Sequence, residues 1–282
     1  MIRIVTDTTA ALSPAEAQTL GVFVVPQIIV FGDQSFRDDS EIDTPGFLDR
    51  LKTDPNFPTT AAPAPQFFYP LFAEAVEKGD SVICIHPSSN VSDTVHSAQA
   101  AALEFPGADI HIIDTRTIAA NLGTLTRLAC QWIVDGLSVD KIVNNLYKMI
   151  ATQRVYFLID TLDHLYRGGR IGRARAIVGE ALQIKPILSF GEGEVSLYEI
   201  GRTRRRALQR LVQIAIEQAP QGAGSRICIM HSNAAEDAET LARDLCAGLN
   251  VNRVPIITVS PATLVHTGPG GIGIGFFAAD MI

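Results

Sequence analysis

The sequence predicts an α/β fold in two domains: an N-terminal α/β/α domain on a mainly parallel sheet, residues 1–152, and a C-terminal mixed-sheet α/β domain, residues 153–282. Three observations carry this expectation. Short apolar runs such as IRIV, SVICIH and ADIHIID are each followed by residues with helical spacing, the alternation that covers both faces of a parallel sheet with helices. From VYFLID onward that alternation gives way to a glycine break, a hairpin-like turn and an arginine-rich helix. A chain of 282 residues, 47% apolar and 19% charged, has the material for more than one core, so disorder is excluded as a global description.

Each element has a local reason. After IRIV, Ser13 and Glu16 form a capping box around Pro14, and Gly21 ends the helix. Residues 22–31 read as one strand, and Thr44-Pro45 opens a helix to about Lys52. The prolines of 54–65 force a loop, after which 66–78 is helical until Gly79. SVICIH is a buried strand. Val91, Val95, Ala98, Ala102 and Phe105 then line one helical face. ADIHIID is a strand, followed by helices over about 118–134 and 139–151. In the second domain VYFLID leads past Gly168-Gly169 to a helix around 173–182, a strand IKPILSF and a hairpin through GEGEVSLYEIG. A basic helix over 202–218, a strand RICIMHS, a helix over 234–249 and a strand-like end complete the chain.

Composition narrows the function. The first residues form a strand without the basic and apolar regions of an export signal, and no apolar run reaches the roughly 20 residues that span a bilayer. Cys84, Cys130, Cys228 and Cys246 stand apart in apolar runs, which suits buried thiols in the reducing cytoplasm and offers no zinc spacing. A net charge of −7 disfavours general nucleic-acid binding.

In open parallel sheets ligands bind beyond the carboxyl ends of the strands, near helix N-termini. The segments expected there are rich in hydroxyls: Thr6-Asp7-Thr8-Thr9, Ser88-Ser89-Asn90-Val91-Ser92 and Asp114-Thr115-Arg116-Thr117. Such residues donate to a carboxylate or phosphate, and they are also the ordinary helix caps. No GxSxG or HExxH pattern supports nucleophilic or zinc catalysis. Gly268-Pro269-Gly270-Gly271-Ile272-Gly273 satisfies GxGxxG, but a strand-like IGIGFF follows and the chain ends before the acidic residue expected about 20 positions on, which argues against a dinucleotide site. Arg167, Arg170, Arg173 and Arg175, with Arg202, Arg204, Arg205, Arg206 and Arg210, form two basic segments that suit a solvated face, a phosphate or an acidic protein surface.

TDTTAAL, FPTTAAPAP, SSNVSDTVHSA, IIDTRTIAANLG, the stretch from LIDTLDHLYRGGRIG to IKPIL, RTRRRAL and HTGPGGIGIGF together resemble the DegV family over essentially the whole chain. The resemblance implies a carrier, not an enzyme by itself, that binds a long-chain fatty acid through its carboxylate and presents it to a separate fatty acid kinase for acyl-phosphate formation. It implies no cofactor and no metal. By position, Thr59-Thr60, Ser92 and His266 match the residues that hold the ligand carboxylate. Ala61 and Ala62 stand where the family often has Ser-Gln, and Asp93 replaces a glycine beside Ser92, where a carboxylate would repel the ligand unless it points away. A surface that a kinase recognises should carry cations, and Arg170, Arg173 and Arg202 are the candidates. Transient membrane contact fits such a carrier. Two other classes compete: an enzyme or binding protein for a small phosphorylated or hydroxy metabolite, against which no nucleotide-binding loop is present, and a regulatory DNA-associated protein, which the net charge disfavours.

Overall fold

A computed structural model describes residues 1–176 and 184–278. Contacts divide the chain into two units, residues 1–150 with 260–262 and residues 151–259 with 263–282.

The first unit runs β1 (Ile2–Asp7), α1 (Pro14–Leu20), β2 (Val22–Val25), β3 (Ile28–Phe31), β4 (Gln34–Arg37), α2 (Thr44–Thr53), β5 (Thr59–Ala61), α3 (Tyr69–Lys78), β6 (Ser81–His86), α4 (Thr94–Ala102), β7 (Ile110–Asp114), α5 (Ala119–Val134) and α6 (Val139–Thr152). Its main sheet is parallel, in the order β2-β1-β6-β7. Strand alternation sends Val5, Val82 and Cys84 to one face, where Phe72 and Ala75 of α3, Ala98 and Ala101 of α4, and Phe68 just ahead of α3 cover them. α5 lies against β1 and β6. Its Leu122, Leu125 and Ala129 are fully buried. The capping box expected at Ser13 is present in half: Ser13 Oγ accepts from the Glu16 N–H at 3.2 Å, while the Glu16 carboxylate turns instead to Arg127.

The continuous strand expected over 22–31 is two strands in two sheets. Pro26 cannot donate to a ladder, and Gln27 leaves the parallel sheet altogether. The Gln27 N–H donates to Thr8 Oγ at 3.1 Å, and its carbonyl accepts from the Asp38 N–H at 3.1 Å. The chain therefore re-enters as β3 of a separate antiparallel sheet, β4-β3-β5. β5 falls inside the segment expected to be a loop. Three residues between prolines suffice to pair with β3, Thr60 opposite Ile29.

The second unit runs β8 (Gln153–Leu158), α7 (Asp163–Arg167), β9 (Lys185–Gly191), β10 (Glu194–Gly201), α8 (Arg204–Gln218), β11 (Cys228–Ser232), α9 (Ala235–Leu249), β12 (Ile256–Thr258), α10 (Pro261–Thr267, whose first two residues group with the first unit) and β13 (Gly271–Phe277). Its sheet is mixed, in the order β10-β9-β8-β13-β11-β12, with β11 and β12 parallel and the other pairs antiparallel. Leu211 and Ile214 of α8 and Leu241 and Leu245 of α9 pack on Leu158, Ile229, Ile272 and Ile274. The expected hairpin is β9–β10, turning at Glu192-Gly193. Most of the helix expected over 173–182 lies outside the described residues. The GxGxxG segment feeds β13, a fully buried strand between β8 and β11, and not a helix. No helix among the described residues is long and apolar enough to cross a membrane.

Candidate functional site

The hydroxyl-rich segments at the carboxyl ends of β1, β6 and β7 differ in what they leave available. Thr6 Oγ donates to the Ile85 carbonyl at 2.8 Å, and Thr9 donates through both N–H and hydroxyl to Asp7. Ser89 Oγ donates to Asp114 at 2.6 Å, and Thr115 Oγ to the His86 carbonyl at 2.7 Å. These are caps and strand-end ties, with their protons already committed. Ser92 is different: half-buried just ahead of α4, its Oγ lies 2.8 Å from Thr94 Oγ, another hydroxyl. Asp93 beside it is 81% exposed and meets His96 Nδ1 at 3.3 Å, so its carboxylate stands in solvent.

Thr59 is exposed and Thr60 half-buried on β5. β5 pairs with β3, which begins immediately after Gln27, and Gln27 Nε2 donates to Thr94 Oγ at 2.9 Å. The Thr60 strand and the Ser92 turn are thereby tied to one another through Gln27. The same corner holds Asp38, buried and accepting from Thr8 Oγ at 2.7 Å. Burial pushes its carboxyl up to about 7, the charge of Asp7 adds to this, and the Thr8 hydroxyl and the backbone of Ala262 oppose it. Asp39 and Ser40 beside it are exposed, as in an ordinary surface turn. What buries it is its N–H bond to the Gln27 carbonyl, a contact that no local pattern encodes.

In the second unit, His266 sits in the last turn of α10, half-buried. Burial lowers its imidazole to about 3, and the neighbouring Arg170 and His164 add to the effect. It is therefore neutral at pH 7, with one ring nitrogen a donor and the other an acceptor. Arg170 is half-buried and donates to the Gly168 carbonyl at 2.8 Å. Gly168, part of the glycine break read from the sequence, is buried, and its N–H donates to the His164 carbonyl at 2.9 Å. A methyl group at Gly168 would overlap His266 Nδ1, so the glycine is the space in which the imidazole lies.

Arg173 is exposed and paired with Glu192 at 3.1 Å and with Glu194, so its charge is partly offset within the chain. Arg202 is exposed immediately before α8, with no ion pair among the described residues. Arg204, read from sequence as one more basic residue of that helix, is instead a staple. Its guanidinium donates to Asp237 and Asp160 at 2.8 Å each and to the Gly270 carbonyl at 2.8 Å. Gly270 has φ +84°, and a Cβ there would overlap the Asp160 carboxylate, so the GPGG turn closes tightly over the end of β8. Arg204→Met keeps the stem and deletes the fork. It is expected to cost about 1–2 kcal/mol, because the carboxylates are part-exposed and remain hydrated while the carbonyl loses its donor. Urea unfolding measures this, and an unchanged midpoint would show that the turn holds without the arginine.

Comparison with known proteins agrees with this architecture. Residues 1–279 match the family described as "Uncharacterised protein, DegV family". A DegV domain-containing protein of Halalkalibacterium halodurans is 32% identical over 98% of this chain and 98% of its own. Among solved structures, a DegV family protein from Thermus thermophilus, described by its fatty acid binding, superposes with a TM-score of 0.90 at 30% identity, covering 99% of each chain. A fatty acid binding DegV family protein from Streptococcus agalactiae gives 0.90 at 28% identity over 99% of each chain. With the family match spanning nearly every residue and the parallel and mixed sheets shared with those structures, the chain belongs to the DegV family.

Proposed function

We propose that this protein binds a long-chain fatty acid through its carboxylate, held by Thr60, Ser92 and His266 with Thr59 beside them, and presents it to a separate kinase that forms the acyl phosphate. The observation that carries this reading is the Ser92 hydroxyl. Its Oγ faces another hydroxyl, where those of Thr6, Ser89 and Thr115 face a carbonyl or a carboxylate, which leaves it able to donate to an anion. Relatives at 28–30% identity that are described as fatty acid binding support the ligand class. The neutral His266 supplies a donor without adding a competing proton equilibrium near pH 7.

The energetic division is simple. Each buried methylene of an acyl chain contributes about 0.8 kcal/mol, so the tail supplies most of the affinity, while the head group must recover the hydrogen bonds it loses from water. Organic extraction and mass spectrometry of the purified protein should release a fatty acid; a small phosphorylated or hydroxylated metabolite in its place would reject the reading. Ser92→Ala should weaken fatty-acid binding by about 1–3 kcal/mol in a direct titration.

The kinase contact is assigned to Arg170, Arg173 and Arg202. Arg202, exposed and unpaired among the described residues, is the freest of the three to meet an acidic surface or nucleotide phosphates. Arg173 would have to exchange its partners Glu192 and Glu194 for that role. Replacing each with alanine should slow acyl-phosphate formation more than it weakens fatty-acid binding, and should reduce the salt dependence of the rate. Normal turnover in all three variants would reject the docking role.

A further inference from the structure

The surroundings of Ser92 hold a directional constraint that follows from counting protons. Thr94 is fully buried, so its hydroxyl proton must go to a protein acceptor. Thr94 Oγ already receives a hydrogen from Gln27 Nε2 at 2.9 Å, and an amide nitrogen cannot accept one in return. Among the described residues the acceptor within reach of that proton is Ser92 Oγ, at 2.8 Å. The Thr94 N–H also points at Ser92 Oγ, from 3.4 Å. With both lone-pair directions of Ser92 Oγ engaged from within the protein, its own hydroxyl has one role left, which is to donate outward.

Gln27 is held to this task by its backbone. Its N–H is fixed by Thr8 Oγ at 3.1 Å and its carbonyl by the Asp38 N–H at 3.1 Å, and Pro26 restricts the chain on the other side. The residue is 4% exposed, and its amide meets Thr94 with the nitrogen.

We propose that Gln27 and Thr94 form a one-way hydrogen-bond relay that fixes Ser92 as a proton donor and so selects a ligand head group that accepts, an ionised carboxylate, over one that itself must donate. Gln27 and Thr94 are positioning residues: they act through Ser92. The inference rests on the carboxylate role given to Ser92 above, and it adds the reason for the head-group preference.

The test compares affinities for palmitate and for hexadecanol, which share a chain length and differ in the head group. In Thr94→Val the Ser92 hydroxyl loses its internal donor, turns freely and offers lone pairs to an alcohol proton. The ratio of palmitate to hexadecanol affinity should fall about tenfold, the value of one charge-assisted hydrogen bond. Thr94→Ser, which keeps the hydroxyl, should restore the ratio. Gln27→Met removes the upstream donor and lets Thr94 accept from Ser92, so it should lower the ratio by less; this second variant keeps the test alive if Thr94→Val does not fold. A purely structural defect would weaken both ligands together and leave the ratio unchanged, and that result would overturn the relay. Ser92→Ala separates the two readings. If it weakens palmitate binding while the ratio holds in Thr94→Val and Gln27→Met, the relay alone is wrong; if it leaves palmitate binding intact, the carboxylate assignment falls and the relay with it.

Discussion

Gly168→Ala is expected to cost about 1–3 kcal/mol of stability by overpacking and to lower fatty-acid affinity by an order of magnitude or more through displacement of His266. The backbone at Gly168 is not the obstacle, since it has αR geometry with φ −75°. The obstacle is the imidazole: the new methyl would overlap His266 Nδ1 and lie 2.9 Å from the His164 carbonyl oxygen. Gly169→Ala is the informative contrast. That residue has φ +71° and nothing within 4 Å of a Cβ, so alanine there should cost about 1–2 kcal/mol of backbone strain and leave the His266 ring in place. Denaturant unfolding gives the stabilities, and the ring signals of His266 in an NMR spectrum report its position. Equal ring shifts in the two variants, or none in Gly168→Ala, would show that Gly168 does not shape the imidazole site.

Asp38→Asn should make the protein more stable at pH 8, by roughly 3–5 kcal/mol if the whole shift is expressed. The sign follows from the raised pKa. Between the ordinary carboxyl value near 4 and the folded value of about 7, the folded protein holds a proton that the unfolded chain has released. Stability therefore falls as pH rises through this window and levels off above 7. Asparagine keeps an oxygen to accept from Thr8 Oγ and carries no ionisation cost. The difference in unfolding free energy between variant and parent should thus be smallest near pH 4, grow up to about pH 7 and stay level to pH 8. A difference that stays constant across that range would mean that Asp38 does not titrate as a buried carboxyl.

The alternation of strands and helices was legible in the sequence because it depends on local pattern. SVICIH reads as β6 from its apolar run, and Ser13-Pro14 and Thr44-Pro45 announce the starts of α1 and α2. The two-strand break at Pro26 was misread, because whether a proline ends a strand or sits at its edge depends on which ladder the next residue joins. α10 was missed for a related reason: seven residues at the end of an apolar tail carry too little periodicity to separate helix from strand.

The sequence by itself determined the fold class and, through its motifs, the family resemblance, since these rest on patterns spread over the whole chain. That resemblance named Thr59, Thr60, Ser92 and His266 for the ligand carboxylate, and the basic segments offered Arg170, Arg173 and Arg202 for a kinase surface. Tertiary structure decided which groups are actually available. It spent the protons of Thr6, Ser89 and Thr115 on strand ends, turned Arg204 into a staple, sent Asp93 to solvent and buried Asp38. The ties that set Ser92 as a donor run between Gln27 and Thr94, 67 positions apart, and between Gln27 and Thr8, 19 apart. Hydrogen-bond direction depends on which partners are brought within about 3 Å, a consequence of packing that no local stretch of sequence contains.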